Sequence, residues 1–158
     1  MQHSKLNVKS IELLPQGGTY ILVLKSTGTL SVEVGKLGVI SLQAGFYYYV
    51  GSAFGPGGMR ARLRRHCRVS KPVRWHIDYL STAGSQALGG WCSYSARRLE
   101  HHWAAALATS EELQGVARFG CSDCRCATHL YYSKIDRLQV FSQLPLIDGF
   151  WRYSDSGS

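Results

Sequence analysis

Acidic side chains are scarce in this chain. Its 158 residues carry ten Asp and Glu against eighteen Lys and Arg, a formal net charge of +8. The imbalance is local: from Arg60 to Arg74 the sequence RARLRRHCRVSKPVR holds six Arg and one Lys and no acid. Long apolar runs are missing as well. None approaches the ~18 residues of a membrane span. The opening MQHSKLNVKSIELLPQGG has no apolar core of the kind a secretory signal needs. The expectation is a cytoplasmic protein with no membrane association. The phosphate-loop pattern GxxxxGK(S/T) is absent, since Met59-Arg60 follows Gly58, which sets a nucleoside-triphosphatase aside. There is no internal repeat and no long linker.

The size fits one domain, large enough for a core without disulfide staples. Residues 1–16 read as a polar lead-in closed by Pro15 and Gly17-Gly18, and residues 134–158 as a C-terminal extension ending in a loose tail from Tyr153. Between them, residues 17–133 form the expected domain. Tyr20 to Leu24 is a continuous apolar run, expected as a buried central strand. Leu30, Val32 and Val34 alternate with polar residues as a half-buried strand does. Short extended pieces follow at Val39–Leu42 and Phe46–Val50, and turns this close together favour antiparallel pairing. After the glycine-rich Phe54–Gly58 loop comes a helix to about Arg68, with Met59, Leu63 and Cys67 as its apolar stripe. Trp75–Leu80 reads as a short helix, Ser81–Gly90 as a loop, Trp91–Tyr94 as a short strand, Arg97–Thr109 as a helix and Leu130–Tyr132 as a last strand. The fold class is α/β of the α+β type.

The chemistry-bearing residues gather around the first helix. Arg62 and His66 are four apart and share a face, able to point together into a cleft beside the sheet. Arg60, Arg64 and Arg68 form a second row on the other flank. Arg65, Lys71 and Arg74 complete a cationic surface suited to a polyanion, most often nucleic acid. A solvated cationic face is the plain alternative, weakened by the lack of interleaved acids to relieve repulsion. The helix N-terminus could also bind a phosphate through its backbone N–H groups. Tyr47 and Tyr49 lie on one side of their strand, and Tyr20 on a neighbouring strand could approach Tyr49. A phenol with pKa near ~10 is a poor base at neutral pH unless a cation assists it. Among carboxylates, Glu100 leads and Asp78 is the other candidate for a hard cation held with waters. Five cysteines is an odd count, and Cys121, Cys124 and Cys126 crowd together with His129. In a reducing compartment that suggests thiols or zinc before disulfides. The alternative is a cluster that, with Asp123 and Arg125, shapes a loop beside the cleft.

Gly18-Thr19-Tyr20, Tyr49-Val50-Gly51 and Arg62-Leu63-x-x-His66, followed by Glu100 on a later helix, resemble the GIY-YIG nuclease superfamily. The strings YVGSA, ARLRRH, WHIDYL and SDCRCATHL are similar to its Uri-type subgroup, formerly a domain of unknown function. The resemblance covers about residues 17–133. Two departures stand out: Thr19 replaces the family's isoleucine, and FGPGG lengthens the gap between Tyr49 and Arg62. The resemblance implies a three-stranded antiparallel sheet flanked by helices, and hydrolysis of DNA phosphodiester bonds with one divalent cation. It implies that Glu100 holds Mg²⁺ or Mn²⁺ and that Tyr20 or Tyr49 is the general base. It further implies that Arg62 stabilises the phosphate's charge and that His66 orients groups or shuttles a proton. Two other functions compete: a nucleic-acid-binding module without catalysis, and a zinc-stabilised interaction protein built on the cysteine cluster. Single-stranded, duplex and branched DNA all stay open as substrates, and a separate protein partner could supply specificity.

Overall fold

The computed structural model describes residues 9–120, 128–137 and 141–154. In chain order the elements are β1 Thr19–Ser26, β2 Leu30–Glu33, β3 Val39–Leu42, β4 Gly45–Ser52, α1 Gly58–Cys67, α2 His76–Thr82, β5 Gln86–Ser93, α3 Glu100–Ala108, β6 Gln114–Gly115, β7 Leu130–Ser133 and β8 Gly149–Arg152. A six-stranded antiparallel sheet has the order β6-β7-β4-β1-β5-β8, and β2 and β3 pair separately as a two-stranded ribbon. The architecture is α+β. No helix among the described residues is long and apolar enough to cross a membrane.

The sequence of β1 explains its central place. TYILVLKS is buried at every position but Lys25, because β4 covers one edge, β5 the other, and both faces carry a packed layer. The period-two alternation of strands sorts the side chains. Tyr20, Leu22 and Leu24 of β1, with Tyr47 and Tyr49 of β4, point to the layer that holds Met59 and Leu63 of α1 and Ile77 and Leu80 of α2. Ile21 and Val23, with Tyr48 and Val50, point to the opposite layer, against Trp103 and Leu107 of α3. Full burial of side chains this size stabilises by about 1.5–3 kcal/mol each.

Several expectations need correction. The main sheet has six strands, not three. Ser81–Gly90 is not all loop: β5 begins at Gln86. Gly89-Gly90 misleads because glycine inside a strand marks a bulge or a close approach as often as a turn. Here it marks both: the β1 register shifts between Val23 and Leu24, and a Cβ on Gly89 would collide with the Trp151 carbonyl of β8. Strand β8 lies in the segment expected to be an extension. Tyr153, expected in a loose tail, donates its N–H to the Leu88 carbonyl at 3.0 Å. The polar lead-in is also part of the sheet end. Ile11 N–H bonds the Phe150 carbonyl at 3.2 Å, Phe150 N–H bonds the Lys9 carbonyl at 2.8 Å, and Leu13 is buried.

Candidate active site

At one end of β1 and β4 lies a cleft of about 340 Å³. Tyr20, Tyr49, Arg62, His66 and Glu100 all line it. They arrive from β1, β4, α1 and α3. The register places Tyr20 opposite Gly51. A Cβ on Gly51 would sit 2.5 Å from Tyr20 Cζ and closer still to its hydroxyl, so only glycine leaves the ring room. Gly18 has a similar reason: a Cβ there would strike the Ser93 carbonyl of β5. Both glycines of the two tripeptide motifs are therefore steric necessities of this sheet. The Thr19 hydroxyl accepts the Leu99 N–H at 3.3 Å, fixing where α3 starts and hence where Glu100 stands.

Tyr20 is buried, with its hydroxyl 2.7 Å from His66 Nε2. Burial drives the Tyr20 pKa well above 10, and the neighbouring Tyr49 and Glu100 push it the same way. The Arg62 guanidinium beside the oxygen opposes them by charge and hydrogen bonding. His66 is pushed down to about 3, first by burial and then by the charge of Lys71, so it is a neutral imidazole at pH 7. Its Nδ1 is buried and has no hydrogen-bond partner among the described residues, so Tyr20 alone selects the tautomer. Arg62 and Arg65 both pack on the Trp75 ring, with guanidinium carbons 4.3 and 4.5 Å from its centroid. That contact is worth roughly 0.5–2 kcal/mol and holds Arg62 in place.

Glu100 is the first residue of α3, where the helix dipole favours a carboxylate. Its side chain keeps 26% exposure and its Oε1 lies 3.3 Å from His129 Nδ1. Burial resists its ionisation. Hydrogen bonding and charge from His129, the charge of His101 and a hydrogen bond from Ser52 outweigh that and hold its pKa below the usual range. His129 is buried, and its Nδ1 also lies 3.2 Å from the Val50 carbonyl of β4. A buried imidazole tied to the sheet thus sets the orientation of the cleft's carboxylate. His76 joins the lining, its Nδ1 accepting the Gly120 N–H at 2.9 Å. Four of the six histidines line this cleft. His76 and His101 were missed as site residues because His76 sits within a string valued for Asp78 and His101 is one of an adjacent pair with His102, so spacing alone gave no reason to turn either inward.

The remaining sequence candidates divide. Asp78 is not in the cleft. It is fully buried, bridged to Arg65 at 2.9 and 3.1 Å, and accepts the Arg74 and Trp75 N–H groups at 2.8 and 3.0 Å as the cap of α2. Those partners hold its pKa below the usual range against the opposing effect of burial, which is the largest single influence. Arg65 is correspondingly engaged, also donating to the Pro72 carbonyl at 2.7 Å. Lys71 caps the end of α1 through the Arg65 and His66 carbonyls at 3.0 and 2.8 Å, and burial brings its pKa down to about 8. Arg74 lines the cleft and is exposed; Arg60, Arg64 and Arg68 are exposed on α1 or at its end. The N-terminus of α1 cannot take a phosphate through its backbone. The N–H groups of Gly58, Met59, Arg60 and Ala61 already bond the carbonyls of Gly55, Gln16, Leu14 and Gly57. Cys121, Cys124 and Cys126 lie outside the described residues, together with Asp123 and Arg125. Among the described residues no group of three or more His, Cys, Asp or Glu is arranged to hold a metal.

Residues 19–144 match the family described as "Domain of unknown function DUF123". The chain belongs to that family. The DUF123 match runs from the first residue of β1 past β7 and so includes every cleft residue named above. Comparison with curated proteins and with solved structures gave no match.

Proposed function

We propose that this chain is a divalent-metal-dependent endonuclease that hydrolyses DNA phosphodiester bonds on the pattern of the GIY-YIG nucleases. The observation that carries the reading is the convergence of Tyr20, Tyr49, Arg62, His66 and Glu100 on one cleft. A lone, ionised and partly exposed carboxylate fits a hard cation that keeps most of its waters, as Mg²⁺ or Mn²⁺ does. Glu100 would hold it. When bound, such an ion neutralises phosphate charge and acidifies water.

The chain's own groups do the rest. Arg62, held against Trp75, adds positive charge beside Tyr20 where the phosphate's oxygens gain negative charge in the transition state. Arg74 lines the same cleft and is free to meet a neighbouring phosphate. Water's proton goes to the oxygen of a tyrosine, Tyr20 or Tyr49, as that phenol passes its own proton on. For Tyr20 the neutral His66 Nε2 at 2.7 Å is the acceptor, and it returns the proton to solvent. Arg62 beside the Tyr20 oxygen offsets the negative charge that builds there during the relay. The water oxygen bonds to phosphorus, one ester P–O bond breaks, and the leaving alkoxide takes a proton from solvent.

The test incubates purified protein with labelled single-stranded and duplex DNA in Mg²⁺, Mn²⁺ or EDTA, beside Glu100→Ala and Arg62→Ala. Metal-dependent cutting, lost in both variants while circular dichroism is unchanged, is the expected result. Intact DNA in every lane with a clear gel shift overturns hydrolysis and leaves a binding module.

A further inference from the structure

The cleft takes one flank of α1, and the other flank faces a second, larger groove. It has a volume of about 470 Å³, and Arg60, Arg64, Trp151, Arg152 and Glu12 are among its lining residues. None of its lining residues lines the cleft. Its walls are fixed: β8 pairs with β5 through Trp151 opposite Gly90 and Arg152 opposite Gly89, and the lead-in is bonded to β8 at Phe150. Arg60 is steadied by its Nε donating to the Leu13 carbonyl at 3.2 Å. Three guanidiniums face one carboxylate, and no ion pair among the described residues engages Arg60, Arg64 or Arg152. Trp151 is half-buried, with its ring 5.9 Å from that of Tyr153. A cationic trough with an aromatic wall is what proteins use to hold unpaired nucleotides. The cations follow the phosphates, and the ring stacks on whichever base arrives.

We propose that this groove binds single-stranded DNA, so that the chain takes substrates with an unpaired segment lying across α1 from the cleft. This rests on the nuclease reading for its place in a reaction, but the binding itself needs neither metal nor hydrolysis. The single strand is favoured over the duplex because a paired base has no free face for Trp151.

The experiment uses the full-length Glu100→Ala protein in EDTA, with fluorescence anisotropy of a labelled oligothymidylate and of a labelled blunt duplex. Arg64→Glu and Arg152→Glu alter exposed side chains and leave the core untouched. Each weakens oligothymidylate binding about tenfold or more and flattens its salt dependence. Trp151→Leu, which keeps an apolar side chain against the core, weakens the single strand about fivefold or more while the duplex changes little. Unchanged oligothymidylate affinity in both charge reversals overturns the site. Equal losses for single strand and duplex in Trp151→Leu overturn the single-strand assignment. Neither result depends on whether the wild-type protein cuts DNA, so failure here is distinguishable from failure of the nuclease reading.

Discussion

Replacing Gly51 by alanine adds one methyl group to a strand and is expected to disable the cleft. The new Cβ would lie 2.5 Å from Tyr20 Cζ. Carbon atoms rest at about 3.5–4.0 Å, so the ring must retreat by roughly 1 Å. It has little freedom to do so, being 1% exposed between the sheet and α1. Tyr20 and His66 now meet at 2.7 Å; a retreat of that size carries the pair out of hydrogen-bond range unless α1 moves as well. Overpacking of this kind costs about 1–3 kcal/mol. In a domain of this length each kcal/mol lowers Tm by about 2–4 °C. A misplacement of about 1 Å at a reacting group costs on the order of a hundredfold in rate. The assay pairs thermal denaturation with the Mn²⁺-dependent cutting rate, measured well below the variant's Tm so that unfolding does not mimic lost catalysis. A Gly51→Ala protein that melts and cuts like wild type would refute the steric argument. One that melts lower yet cuts normally would detach Tyr20's position from the chemistry.

His66 gives a pH prediction. Its folded pKa of about 3 lies below the unfolded value of 6.5, so below pH 6.5 the unfolded chain binds the extra proton and stability falls. Between pH 6.5 and about 4 the slope is up to about 1.4 kcal/mol per pH unit from this group, with a smaller contribution of the same sign from His76. Urea titrations across that window should show the slope largely removed in His66→Gln; an unaltered slope assigns it elsewhere. Asp78→Ala leaves Arg65 unpaired and two backbone N–H groups uncapped, and should lower stability by about 3–5 kcal/mol in denaturant titration. A loss under 1 kcal/mol would mean that the pair contributes little. His129→Ala should weaken Mn²⁺ binding, read by calorimetry without DNA, by about ten- to a hundredfold through loss of Glu100's orientation. Equal affinity in the variant and the wild type contradicts that role.

Much of the cleft was legible because its residues come from strongly patterned segments. The apolar run of β1 and the four-residue spacing in α1 dictate burial, and burial fixes which of Tyr47, Tyr48 and Tyr49 share a side with Tyr20. What stayed illegible depends on contacts distant in sequence. Gly89-Gly90 has the local signature of a turn, and what makes it a strand is pairing with β1 well before it and with Trp151 and Arg152 of β8 some sixty residues after it. Asp78 looks like a free carboxylate until Arg65, thirteen residues earlier, is seen to hold it. Spacing places His129 beside cysteines that lie outside the described residues; that its Nδ1 also meets Val50 and Glu100 is a contact no local pattern encodes. The free-phosphate reading of the α1 N-terminus failed for a related reason. A lead-in taken for a polar overhang supplies two of the four carbonyls that close it, those of Leu14 and Gln16.

The order in which the sheet is laid down has a consequence for synthesis. Tyr20 belongs to an early strand, but β1 gains its second neighbour only with β5, at residues 86–93, and the cleft is complete only with Glu100 and His129. A chain emerging from the ribosome therefore carries the basic helix long before it carries the carboxylate that would arm it. On the proposed nuclease reading, the nascent polypeptide would meet DNA with its basic helix before it could cut. If the chain cuts DNA as proposed, its cleft is completed only as α3 and then β7 join the sheet begun by β1, β4 and β5.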